Sequence, residues 1–127
     1  MAKGKTKRIL LVEDDEFLAE LYATKLNLEG FEVSLAVDGE KGLKMTGEEM
    51  PDLVLLDIIL PKMDGFEVLK QLKADAKTKP IPVILLTNLS QKDEVKKGLE
   101  LGAIDYLIKA HFMPSEVVKK IKQTLGE

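Results

Sequence analysis

The sequence predicts an α/β protein with a five-stranded parallel sheet and helices on both faces. Five short apolar runs are spread along the 127 residues, and segments with helical periodicity separate them. This alternation is typical of parallel strands joined by crossover helices. Three of the runs are continuous, as expected of strands buried on both faces. The runs are Ile9–Val12, Phe31–Val37, Leu53–Leu56, Ile81–Leu86 and Ile104–Ile108.

The second run indicates the order of the strands. Phe31, Val33 and Leu35 alternate with Glu32 and Ser34, which suits an edge strand with one wetter face. Five strands in a chain of this length match the small doubly wound order 2-1-3-4-5, where strand 2 lies at an edge. We therefore expect a flavodoxin-like (βα)5 fold.

Five helices are expected after the strands. The first carries Phe17, Leu18, Leu21, Tyr22 and Leu28 near helical spacing, and Asp15 is its predicted N-cap. The predicted helices cover residues 15–29, 38–49, 64–74, 90–101 and 115–125. In the third, Phe66, Leu69 and Leu72 face inward, and in the fifth Val117, Val118, Ile121 and Leu125 form one stripe. Short connections indicate a single domain over 1–127, with a basic leader at 1–6 that we expect to be flexible.

Composition excludes several classes of protein. A net charge of −3 does not support a nucleic-acid binder, which usually has a strongly basic face. Without cysteine there is no disulfide, thiolate metal site or redox motif. The apolar runs are far shorter than the ~18 residues that span a bilayer. We therefore expect a cytoplasmic protein without a membrane partner.

Polar residues follow four predicted strands at one edge of the sheet. Ligands of open α/β sheets bind outside the carboxyl ends of the strands, where the strand order reverses. Strand 1 is followed by Glu13, Asp14 and Asp15, strand 3 by Asp57, strand 4 by Thr87 and strand 5 by Lys109.

The acidic residues at this edge favour a divalent cation. Strands 1 and 3 are neighbours ~4.8 Å apart, so Glu13, Asp14 and Asp57 repel one another. Oxygen donors without His or Cys favour Mg²⁺ over Zn²⁺. Thr87 needs only a short side chain to reach Asp57, whereas Lys109 must span ~10 Å. Such a set is typical of phosphoryl transfer with an aspartyl nucleophile.

These residues, in this order, resemble the receiver domain of bacterial two-component response regulators of the single-domain chemotaxis type. The resemblance covers essentially the whole chain. The matching motifs are Ile9-Leu10-Leu11-Val12-Glu13-Asp14-Asp15, Pro51-Asp52-Leu53-Val54-Leu55-Leu56-Asp57, Leu60-Pro61-Lys62-Met63-Asp64-Gly65, Ile81-Pro82-Val83-Ile84-Leu85-Leu86-Thr87 and Gly102-Ala103-Ile104-Asp105-Tyr106-Leu107-Ile108-Lys109.

The resemblance implies a role for each site residue. Asp57 would accept the phosphoryl group, and Thr87 and Lys109 would hold its oxygens. Asp14 would bind Mg²⁺ (or Mn²⁺) directly and Glu13 through water, together with Asp57 and the backbone carbonyl of Ile59. Tyr106 would be an aromatic switch that turns inward with Thr87, and Asp64-Gly65 would form a turn that needs the freedom of glycine.

Four features depart from the family pattern. Ala110 replaces the usual proline after Lys109, where a cis bond would cost about 3–4 kcal/mol. His111 is an extra residue in the same loop, and Asn88 stands where the family mostly has a small residue. Ile59 and Leu89, two residues beyond Asp57 and Thr87, are apolar, so we expect a long-lived phosphoryl group.

The resemblance also implies partners and limits. The phosphodonor would be a sensor histidine kinase or phosphotransfer protein. An effector protein would be contacted through helix 4, strand 5 and helix 5. We expect no output domain after helix 5 and hence no direct DNA binding, and the chain would be a monomer or a phosphorylation-dependent dimer. It would act as a switch with self-phosphorylation and autodephosphorylation only, not as an enzyme. The charged residues of that face are Lys92, Lys96, Lys97, Lys119, Lys120 and Lys122 among Glu94, Glu100 and Asp105.

Three other classes of protein share parts of this pattern. A haloacid-dehalogenase-like phosphatase would have a second Asp where Ile59 stands. A flavodoxin-like cofactor binder would need a Ser/Thr/Gly-rich phosphate loop in place of Glu13-Asp14-Asp15. A phosphorylation-independent pseudo-receiver, acting as a protein-interaction module, stays open because of the Ala110 loop.

Overall fold

The computed structural model describes residues 6–87, 92–109 and 114–126, so all but one residue of the predicted leader lies outside it. Strands and helices alternate along these residues, and all strand pairs are parallel. The order in the sheet is β2-β1-β3-β4-β5, which confirms the predicted fold class. The elements are β1 (Arg8–Val12), α1 (Glu16–Leu28), β2 (Glu32–Ala36), α2 (Gly39–Glu49), β3 (Leu53–Asp57), α3 (Gly65–Ala74), β4 (Val83–Thr87), α4 (Lys92–Glu100), β5 (Asp105–Ile108) and α5 (Pro114–Leu125).

An apolar core lies on each face of the sheet. Successive side chains of a strand point to opposite faces, so the continuous runs of β1, β3 and β4 supply both cores. One core contains Leu11 and Leu55 beneath α1 and α5. The other contains Leu10 and Val54 beneath α3. No helix within the described ranges has the length and apolar character needed to span a bilayer.

Strands β4 and β5 begin later than the apolar runs predict, as β2 also does by one residue. Pro82 precedes β4 and has no N–H for the ladder, so β4 begins at Val83, although the Pro82 carbonyl accepts a 3.0 Å hydrogen bond from Val54. Ile104 lies just before β5, donates its N–H to the carbonyl of Val83, and leaves 51% of its surface exposed. Apolar sequence therefore extends beyond the ladder at both strands.

Helix α1 uses a different inward face from the one its largest side chains suggest. Ala19, Tyr22 and Leu26 are buried, whereas Phe17 and Leu28 are each 78% exposed. The N-cap prediction is confirmed, because the carboxylate of Asp15 accepts a 3.1 Å hydrogen bond from the N–H of Leu18. The exposed apolar positions could not be distinguished from core by spacing alone.

Candidate functional site

The acidic residues meet where β1 and β3 end side by side. Val12 pairs with Leu56 in the ladder, so Glu13 and Asp57 follow at the same edge. Glu13 and Asp57 are buried and Asp14 is exposed. One carboxylate oxygen from each of the three lies within 4.8 Å of the others. Three negative charges at this separation repel strongly and need a compensating cation.

Lys109 supplies one such charge. Its Nζ lies 2.8 Å from Oε1 of Glu13 and 2.9 Å from Oδ2 of Asp57. The long side chain thus crosses from the end of β5 to that of β3, past β4. The backbone N–H of Lys109 donates a 2.7 Å hydrogen bond to the Thr87 carbonyl, which fixes the end of β5 against β4.

Burial and these ion pairs shift two pKa values. Burial raises the pKa of Glu13 to about 7, even though the hydrogen bond with Lys109 acts in the opposite direction. Burial alone would lower the pKa of Lys109, but the contacts with Glu13 and Asp57 outweigh it and raise that pKa. Lys109 therefore carries its charge throughout the physiological range, whereas Glu13 titrates near neutrality.

Both oxygens of Glu13 have a partner within the protein. Oε1 faces Lys109, and Oε2 accepts a 3.1 Å hydrogen bond from the N–H of Asp15. Asp14 is the carboxylate of the cluster that is open to solvent. The roles implied by the family resemblance, with Asp14 in direct contact with a cation and Glu13 acting through water, stay predictions.

The remaining predicted residues differ in burial. Thr87 ends β4 and is buried, while Tyr106 on β5 is 36% exposed. Ile59 is 57% exposed, and its N–H donates a 3.3 Å hydrogen bond to Oδ1 of Asp57. The phosphoacceptor candidate is therefore buried, and the exposed side chain of Ile59, which follows two residues later, forms an apolar rim beside it.

Gly65 has a different role from the one expected. Its φ is not among the positive values, so conformational freedom is not what this turn requires. A Cβ at this position would overlap the carbonyl oxygen of Asp57, and the Gly65 N–H donates a 2.7 Å hydrogen bond to Ile58. Asp64 caps α3 by accepting from Glu67. Glycine is needed because α3 begins directly against the backbone of Asp57.

The donor set fits a hard divalent cation. Three carboxylate groups converge, and hard oxygen ligands are those that Mg²⁺ prefers. Oε1 of Glu13 is buried, with no hydrogen bond besides the ionic contact with Lys109. A cation, or water held by one, would share this oxygen with Lys109.

Sequence reasoning did not identify Tyr22 as a neighbour of the site. This residue of α1 is 3% exposed, and burial raises its pKa to about 12. The charges of Lys109, Glu13 and Asp57 also act on the phenol, so Tyr22 lies within electrostatic range of the site. A tyrosine within an apolar helical pattern carries no signal of such a position.

Two lysines of the predicted output face form ion pairs, and apolar side chains are exposed there as well. Lys120 pairs with Asp105 at 3.0 Å, and Lys122 is turned toward α1, 3.0 Å from Glu29. The exposed apolar side chains there are Leu99, Ile104 and Tyr106. Asn88, Leu89, Ala110 and His111, with the Lys109–Ala110 bond, lie outside the described residues.

Fold and site together define a doubly wound α/β domain with an acidic cluster and a lysine at the carboxyl edge of the sheet. The family model of the response regulator receiver domain matches residues 9–122. The chain belongs to this family, whose members are signalling switches.

Individual relatives agree with this assignment. The chain is 40% identical over 118 residues to the DNA-binding dual master transcriptional regulator RpaA of Synechocystis, covering 93% of this chain and 48% of RpaA. It therefore spans about half the length of that relative. A CheY-like receiver domain protein of Methanospirillum hungatei has a TM-score of 0.87 at 32% identity, with 96% and 95% of the two chains covered.

One structural relative contains a metal. The receiver domain of the sensor histidine kinase PA1611 from Pseudomonas aeruginosa has a TM-score of 0.87 at 27% identity, with 97% of this chain and 100% of that chain covered. Its structure holds a magnesium ion in the active-site cleft. Receiver domains with closely similar folds thus occur in regulators and in kinases.

Proposed function

We propose that this chain is a phosphorylation-activated switch, in which Asp57 accepts a phosphoryl group from the phosphohistidine of a kinase or phosphotransfer protein. The observation that carries the proposal is the contact of Lys109 with both Asp57 and Glu13 inside the acidic cluster. A carboxylate beside a fixed ammonium group can act as nucleophile while the ammonium stabilises charge on the transferred group.

Mg²⁺, or Mn²⁺, would be held by Asp14, Asp57, the carbonyl of Ile59 and, through water, Glu13. When bound, it neutralises charge on the phosphoryl oxygens. The protein itself fixes Asp57 at the end of β3, against the start of α3, and holds Lys109 beside it. In this proposal the domain catalyses only its own phosphorylation and dephosphorylation.

The signal would leave through α4, β5 and α5. Thr87 would move toward the phosphoryl group and Tyr106 would turn inward, changing the apolar surface of Leu99 and Ile104. An effector protein that binds this surface would then distinguish the two states. A cytoplasmic location, the absence of direct DNA contact by this domain, a single domain over 1–127, and a monomer that dimerises at most on phosphorylation stay predictions from the sequence.

Beryllofluoride with Mg²⁺, a mimic of the phosphoryl group, tests the switch. We expect it to shift amide resonances of α4, β5 and α5 in the wild-type protein and to leave Asp57→Asn unchanged. Asp64→Asn is the matched control, because asparagine caps a helix as well as aspartate does. Equal spectra with and without beryllofluoride would contradict the proposal and favour the pseudo-receiver.

A further inference from the structure

Helix α4 buries few of its described side chains: Glu94 and Val95 are partly buried, and most of the others are exposed. Over residues 93–100, Gly98 is the only buried residue, and Leu99 is 40% exposed. Helices normally dock through a stripe of large apolar side chains. In α4 the buried position is instead Gly98, which has no side chain.

Gly98 rests on one side chain from β4 and one from α3. A Cβ at position 98 would overlap Cδ1 of Leu85 and would lie 3.6 Å from Cε1 of Phe66. Leu85 is fully buried and Phe66 partly buried. The two side chains form a notch that accepts only a helix without a side chain at this position.

Phe66 holds the neighbouring residue of α4 as well. Nζ of Lys97 lies 4.7 Å from the centroid of the Phe66 ring, within the range of a cation–π interaction. The same ring therefore contacts Lys97 and borders the space that a side chain at position 98 would occupy. Lys96, by contrast, is exposed and has no ring contact among the described residues.

Phe66 is also tied to the phosphoacceptor. It follows Gly65, which lies against the carbonyl oxygen of Asp57 and donates its N–H to Ile58. A displacement of the Asp57 backbone would pass to the start of α3 and so to the ring. This chain of contacts runs through α3 and does not involve Thr87 or Tyr106.

We propose that Phe66 is a clamp that holds α4 in its unphosphorylated position through Lys97 and Gly98, and that this clamp opposes phosphorylation of Asp57. The second part rests on the proposed function. Contacts that exist in one state stabilise that state, and by linkage their removal favours the other. The strength of the clamp would set how readily α4, β5 and α5 change when Asp57 is phosphorylated.

Hydrogen exchange of the α4 amides in the unphosphorylated, metal-free protein tests the clamp by itself. Lys97→Gln removes the charge and is expected to speed exchange about two- to fivefold, the range of an exposed cation–π contact. Lys96→Gln, with the same change of charge, should have no effect. In a Phe66→Leu background, Lys97→Gln should add nothing. Equal exchange in Lys97→Gln and Lys96→Gln would overturn the clamp.

Affinity for beryllofluoride with Mg²⁺ tests the link to Asp57. We expect Lys97→Gln to bind it more tightly than Lys96→Gln by the same factor that exchange increases. If Lys97→Gln exchanges faster than Lys96→Gln but both bind beryllofluoride equally, the link between the clamp and Asp57 is overturned. The contact of Phe66 with Lys97 would then be structural only. If the wild-type protein fails to bind beryllofluoride, the proposed function fails, and the exchange experiment still decides the clamp.

Discussion

Lys109 and Glu13 form an ion pair of 2.8 Å at the centre of the acidic cluster, and the carboxylate of this pair is 1% exposed. The same ammonium group contacts Asp57 at 2.9 Å. Lys109 thus occupies the position from which it compensates two buried acids. Any cation or phosphoryl group that binds Asp57 must share or displace these contacts.

The raised pKa of Glu13 predicts a pH-dependent stability. Between the ordinary value of 4.5 and about 7, the folded protein holds a proton that the unfolded chain has released. Stability in the absence of metal should therefore fall as pH rises from 5 to 7, by on the order of 3 kcal/mol at most. Urea unfolding of wild type and Glu13→Gln measures this. The unfolding free energy of Glu13→Gln should not fall over this pH range. Parallel pH profiles of the two proteins would show that Glu13 does not cause the decline.

Removal of Lys109 should strengthen metal binding. A unit charge 4 Å away is worth about 4 kcal/mol at an effective dielectric of 20, and the ammonium group opposes an incoming cation. We expect Lys109→Met to bind Mg²⁺ at least about tenfold more tightly, by calorimetric titration. Lys120→Met, which removes a surface ion pair with Asp105, is the control and should match wild type. Weaker Mg²⁺ binding in Lys109→Met would show that the ammonium group of Lys109 does not compete with the cation.

Alanine substitution at two glycines should change the unfolding free energy in opposite directions. A Cβ at Gly65 would meet the carbonyl oxygen of Asp57, so Gly65→Ala should cost about 1–3 kcal/mol of unfolding free energy. Gly47 in α2 has nothing within 4 Å of a Cβ, so Gly47→Ala should stabilise by about 0.5–1 kcal/mol. Denaturant unfolding compares them. A neutral Gly65→Ala would show that α3 does not rest on β3 as described.

The apolar rim predicts slow loss of the phosphoryl group. Ile59 is exposed beside Asp57 and cannot orient water by a hydrogen bond. We expect a lifetime of minutes or longer, shortened about two- to tenfold in Ile59→Asn, the value of one modest hydrogen bond. Ile104→Asn, an exposed isoleucine before β5, is the control. Decay within seconds in wild type would exclude this explanation.

Most of the fold could be predicted from the sequence because the apolar patterns that identify strands and helices are local. Continuous apolar runs identified β1, β3 and β4, and their order followed from the alternation at β2. The acidic edge was predictable, since parallel strands bring their carboxyl ends together.

What the sequence could not supply depends on packing between distant residues. Nothing in it distinguishes exposed Phe17 from a core position or brings Tyr22 within electrostatic range of the cluster. The fit of Gly98 against Leu85 and Phe66 joins three elements, and the choice of Glu13 as partner of Lys109 requires side-chain geometry. Such contacts arise only once the sheet and helices are assembled.

Phosphorylation by acetyl phosphate tests the central claim most directly. Intact-mass measurement of wild type, Asp57→Asn and Asp64→Asn, each with Mg²⁺ and with chelator, follows one added phosphoryl group. The account predicts a modified wild type and Asp64→Asn with Mg²⁺ only, and an unmodified Asp57→Asn throughout. Modification of Asp57→Asn, or none in wild type with Mg²⁺, would contradict it.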